Sequence, residues 1–77
     1  MNNGYPLNVN YVEVGDRLWD GERVSLVVSV AKDVSRWLPG CDVLIFTADE
    51  RGYRRPTRHH RRDAVTVLYG DQNVEVV

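Results

Sequence analysis

Apolar residues recurring at every second position constrain this chain more than any other feature. In "VSLVVSV", Val24, Leu26, Val28 and Val30 fall on one parity and Ser25, Val27 and Ser29 on the other. That period predicts a half-buried strand with the first set facing the core. "DVLIFTA" is apolar on both parities, with Val43 and Ile45 on one and Leu44 and Phe46 on the other. Such a run predicts a central strand or one with its outer face covered. "AVTVL" (64–68) and "VEVV" (74–77) read as two further strands joined by the turn-rich "YGDQN". Nearer the start, Val12 and Val14 alternate with polar neighbours before turns at Gly15-Asp16 and Asp20-Gly21.

Helix has one foothold. Asp33 is a candidate N-cap for "VSRWLPG", in which Val34, Trp37 and Leu38 share a helical face before Pro39-Gly40 stops it. A single turn near 33–38 is all this allows. Five or six short strands with closely spaced turns predict an all-β fold, a small antiparallel barrel whose closure removes exposed edges. With 77 residues there is room for one domain and one core. The expected division is a flexible tail over 1–8 and a barrel over 9–77.

The segments "VEVGDRLWDGERVSLVVSV" and "CDVLIFTADERGYRRPTRHHRRDAVTVL" resemble small SH3-like β-barrel proteins among the accessory genes of bacteriophages infecting actinobacteria. The shared pattern is a Val-Gly-Asp opening, a long valine strand, a strand–turn–strand around Gly52, and a closing "DAVTVL". The resemblance implies an SH3-like fold. It also implies a phage accessory protein that binds and modulates a host protein in the host cytoplasm. SH3-like barrels carry nucleic-acid binding, peptide binding and structural roles, so no single activity follows from the fold.

Charge is distributed unevenly. Residues 1–50 hold four basic and eight acidic side chains, 51–62 six basic and none acidic, and 63–77 three acidic and none basic. The net charge of −1 conceals this segregation. Nine arginines against one lysine, and fourteen valines against one isoleucine, match the codon pressure of a GC-rich genome, so arginine number alone says little. Placement says more. Arg54, Arg55, Arg58, Arg61 and Arg62, with Tyr53 as a stacking ring, form a candidate contact for nucleic acid or an acidic protein. On an extended chain Tyr53, Arg55, Thr57 and His59 share one face, and Arg54, Pro56, Arg58 and His60 the other. Arginine on both faces and a proline without an N–H predict an exposed edge or loop. The alternative is that the segment simply neutralises acids on its own domain.

Adjacent His59 and His60 point oppositely on an extended chain, and flanking cations repel metal, so no metal site is expected. The same positive field should lower both histidine pKa values. Trp19 and Trp37 are candidates to plug the ends of the barrel. The sharper reading makes Arg36, Trp37 and Leu38 an anchor for a protein partner. Leu44 and Phe46 need cover from the N-terminal segment or a second subunit, which makes a homodimer one expectation. Cys41, the only cysteine, reads as an inert core thiol in a reducing compartment. No secretory leader is visible, and the longest strongly apolar run, "VLIF", falls far short of the roughly 20 residues that span a bilayer. No Ser/His/Asp order or glycine-rich phosphate loop marks an enzyme, and no cofactor is expected. The residues point to a non-catalytic protein-interaction module in the cytoplasm, with a nucleic-acid-binding barrel using 51–62 as the alternative.

Overall fold

The computed structural model describes residues 4–69. Six antiparallel strands form one sheet: β1 (Gly4–Asn8), β2 (Arg17–Trp19), β3 (Val24–Lys32), β4 (Val43–Ala48), β5 (Arg54–His59) and β6 (Ala64–Leu68). Their order across the sheet is β1-β6-β2-β3-β4-β5. The all-β expectation holds, and the helical content is two 3-10 turns, Val9–Tyr11 and Val34–Arg36. The strand expected at 74–77 lies outside the described residues.

β4 sits deep in the sheet, between β3 and β5. Val43, Ile45 and Thr47 face inward and are buried, while Leu44, Phe46 and Ala48 are half-buried on the other face. Both-parity apolarity thus marked an inner strand correctly. The core gathers Val9, Val12, Val27, Val43 and Ile45, with Leu7, Leu18, Val30 and Val65 packed around them.

The facing of β3 differs from expectation. Its register against β4 shifts between Val27 and Ser29, leaving Val28 as the extra residue of a bulge. The bulge resets the alternation, so Val27 and Val30 both reach the core. Val24 and Leu26, expected inside, are exposed on the outer face. Val27 also exchanges backbone bonds with the preceding loop, its N–H reaching Asp16 O at 2.8 Å and its carbonyl accepting from Gly15 N at 2.9 Å. That loop explains the Val-Gly-Asp pattern. Gly15 takes a φ of 100°, and the Asp16 carboxylate accepts the Glu13 N–H at 2.9 Å.

Three further expectations are corrected. Gly4–Asn8, read as the end of a tail, is β1, paired from Gly4↔Leu68 to Asn8↔Ala64. Asn8 then caps the first 3-10 turn, its side chain accepting from Asn10 N. Asp33 caps nothing. It adopts a left-handed φ of 57° with no side-chain cap bond to the turn at Val34–Arg36. Among the described residues the sheet is also not closed into a barrel: β1 and β5 end it without pairing to each other. The inner side of β5 presents Arg55, Thr57 and His59.

Candidate binding surface

β5 is an edge strand, exposed along its length until His59. Asp49 N–H donates to Tyr53 O at 3.0 Å, which sets the bonding parity of the β4–β5 hairpin. With an unbroken register from Ala48↔Arg54 to Val43↔His59, residues 55, 57 and 59 turn their backbone groups toward β4. Residues 54, 56 and 58 turn theirs to the free edge. Pro56 stands in the middle of that edge with no N–H to offer, so the edge is poorly suited to adding another strand.

The six arginines of 51–62 are all exposed. Arg54 and Arg58 lie opposite Ala48 and Leu44 on the outer face, and Arg55 lies opposite Thr47 on the inner face. Arg61 and Arg62 occupy the β5–β6 turn, and Arg51 the β4–β5 turn. No arginine comes within 4.0 Å of a carboxylate among the described residues. The nearby acids bind backbone instead. Asp49 Oδ1 accepts from Arg51 N at 2.9 Å and Tyr53 N at 3.0 Å. Asp63 Oδ2 accepts from His60 N, and Asp42 Oδ2 from Arg61 N, each at 2.9 Å. Direct self-neutralisation is therefore absent among the described residues, and the guanidinium groups face solvent.

The Arg61 backbone ties one end of the sheet together. Its N–H goes to Asp42 on the β3–β4 connection, and its carbonyl accepts from Asn8 Nδ2 at 2.8 Å and Asn10 Nδ2 at 2.9 Å. Three segments that present large side chains meet here. Trp37 is 73% exposed and Tyr11 70%, so Trp37 plugs nothing. Arg36 is exposed as well, whereas Leu38 is half-buried, its N–H bonded to Val34 O at 2.8 Å. The expected trio thus divides: Arg36 and Trp37 face out, while Leu38 holds the loop. Tyr11 was not anticipated, because a lone tyrosine beside a valine carries no mark of exposure. Tyr53 is exposed at the other end of β5, so it and Trp37 are not brought together.

β5 and β6 are consecutive yet unpaired, and they splay from their turn around a cleft of about 620 Å³. Arg55, Thr57 and His59 form one wall, Ala64, Val65 and Thr66 the other, with Trp19 and Asp20 at the β2 side. Thr57 Oγ1 lies 2.8 Å from His59 Nε2 and 3.3 Å from the Ile45 carbonyl. His59 Nδ1 is 3.8 Å from Asp63 Oδ2. Hydroxyl, imidazole and carboxylate follow one another as in a nucleophilic triad, but the links are too loose to activate the hydroxyl. The carboxylate is beyond hydrogen-bond distance and already accepts the His60 N–H. Burial pushes the His59 pKa down, with Asp63 opposing. The direction matches the sequence reading, but the cause is desolvation rather than the arginine field.

No three His, Cys, Asp or Glu side chains converge as metal ligands among the described residues. Cys41 is buried, its thiol 3.4 Å from the Val43 carbonyl. No helix among the described residues is long and apolar enough to cross a membrane. In comparisons with protein families, curated proteins and solved structures, nothing matches this chain.

Proposed function

We propose that this protein is a non-catalytic interaction module that docks a protein partner on the end surface carrying Trp37. The observation that supports this most is the 73% exposure of Trp37 on a connection fastened through Asp42, whose N–H donates to the His59 carbonyl and whose carboxylate accepts the Arg61 N–H. A large apolar side chain held out in water by an anchored loop offers binding energy at low ordering cost. Arg36 is exposed beside it in sequence, and Trp and Arg are among the residue types that dominate interface energetics. Leu38 contributes by fixing the loop. The resemblance to phage accessory barrels favours a host protein as the partner and the host cytoplasm as the place.

The test is to replace Trp37 by Ala. Affinity for the captured partner should fall by at least roughly 30-fold, the loss of about 2 kcal/mol typical of an interface anchor. The thermal midpoint should stay where it is. Unfolding of the variant would make Trp37 structural, and unchanged affinity would remove it from the interface.

A second reading is supported by the arginines that lack carboxylate partners. On it, Tyr53, Arg54, Arg55, Arg58, Arg61 and Arg62 hold a nucleic-acid backbone, with Tyr53 stacking a base. Several phosphate contacts would make affinity fall steeply between about 50 and 200 mM salt. Absence of binding to single- and double-stranded DNA and RNA at the low end would dispose of this reading.

A further inference from the structure

The inner face of an edge strand in a small curved sheet is a place for apolar residues, yet β5 puts Arg55, Thr57 and His59 there. Opposite them Leu18, Trp19, Ala64 and Val65 line the cleft together with the polar Asp20, Ser25, Thr47 and Thr66. The Arg55 wall thus faces a mixed one, of which Leu18 and Val65 are apolar parts.

The charge arrangement narrows what the cleft fits. The Arg55 guanidinium has no carboxylate within 4.0 Å among the described residues. Thr57 Oγ1 is on the same face, two residues along, and its contact with His59 Nε2 orients it. Among the described residues Asp20 is the only carboxylate in the lining. It is fixed, its Oδ1 accepting the N–H groups of Glu22 and Arg23, both at 2.8 Å. Asp63 stands behind His59. A phosphodiester chain would press several negative charges against Asp20. A single carboxylate beside an apolar side chain would meet Arg55 and leave Asp20 unopposed.

We propose that the β5–β6 cleft is a recognition site for a short acidic peptide segment, with one carboxylate bound by Arg55 and the adjoining apolar side chain resting on Leu18 and Val65. The site does not depend on the Trp37 anchor, and either can fail without the other. A peptide spanning both would link two weak contacts into one stronger attachment.

The experiment uses the full chain carrying Trp37→Phe, which leaves Trp19 as the sole tryptophan. The probes are N-acetyl-Glu-Leu-amide, its glutamine counterpart and adenosine 5′-monophosphate, each titrated to about 10 mM, a range suited to small fragments. Backbone amide shifts and Trp19 fluorescence are followed together. The glutamate peptide should perturb Arg55, Thr57, His59 and Trp19 with a dissociation constant on the order of 1 mM. The glutamine peptide should bind at least about tenfold more weakly, and Arg55→Gln should produce the same loss. Arg55 is exposed, so the variant keeps its fold. Arg55→Lys, which keeps the charge without the planar fork, should fall between the two. Equal binding of the glutamate and glutamine peptides would overturn the proposal. So would binding of the nucleotide alone, or no response to any probe.

Discussion

Asp42, Asp49 and Asp63 determine what the neighbouring arginines are free to do. Each gives its carboxylate to a backbone N–H at a turn or connection, so the residues that looked like counter-ions act as fasteners. Asp49→Ala should therefore cost about 1 kcal/mol of stability, read from urea unfolding, through loss of its bonds to the Arg51 and Tyr53 N–H groups. It should not weaken binding along β5. Two residues give a pH signature. Burial holds His59 below the ordinary value of 6.5. Its contribution is complete above that value and is lost as pH falls below it, because the unfolded chain takes up the proton first. Asp20 is held below its ordinary 3.8, chiefly by the Arg23 N–H and then that of Glu22. Its contribution is present above that value and disappears only in stronger acid. Urea midpoints measured against pH should fall in two separate steps. His59→Gln should erase the upper step and Asp20→Asn the lower. A single decline unaffected by either variant would contradict this assignment.

Among the elements, β4 carries the core and β5 carries the exposed chemistry. Ile45 is fully buried in the middle of β4, and Ile45→Ala should cost roughly 2–5 kcal/mol, enough to unfold a domain this small. Circular dichroism at 25 °C would show it. Pro56→Val returns an N–H to the free edge of β5 and removes its block, so the variant should associate with rising concentration in light scattering while the parent does not. The behaviour of each strand follows from what local sequence can encode. β4 was legible because an inner strand needs apolar residues on both faces, and β5 because arginine on both faces suits only an exposed edge. The facing of β3 was not, since a bulge within a run of valines and serines leaves no mark on the alternation. β1 was hidden by Gly4 and Pro6, and it exists because β6, some sixty residues later, pairs with it. The cleft was half legible: the shared face of Arg55, Thr57 and His59 followed from period two, but the wall opposite them comes from β2 and β6.

Across the whole molecule, an almost neutral chain presents its cationic edge and its exposed tryptophan as separate features. They meet only near the β5–β6 turn, where Arg61 and Arg62 stand by the connection that carries Trp37. Protein docking and nucleic-acid docking use this surface differently. The first centres on Trp37 and tolerates salt, whereas the second runs the length of β5 and is lost as salt rises. The most direct measurement is retention from a lysate of the cells in which the protein is naturally made, with and without nuclease, on immobilised parent and Trp37→Ala. The account predicts a discrete protein held by the parent at about 150 mM salt, near physiological ionic strength. That protein should resist nuclease and be missing from the variant. Material released by nuclease, or held equally by Trp37→Ala, would contradict it.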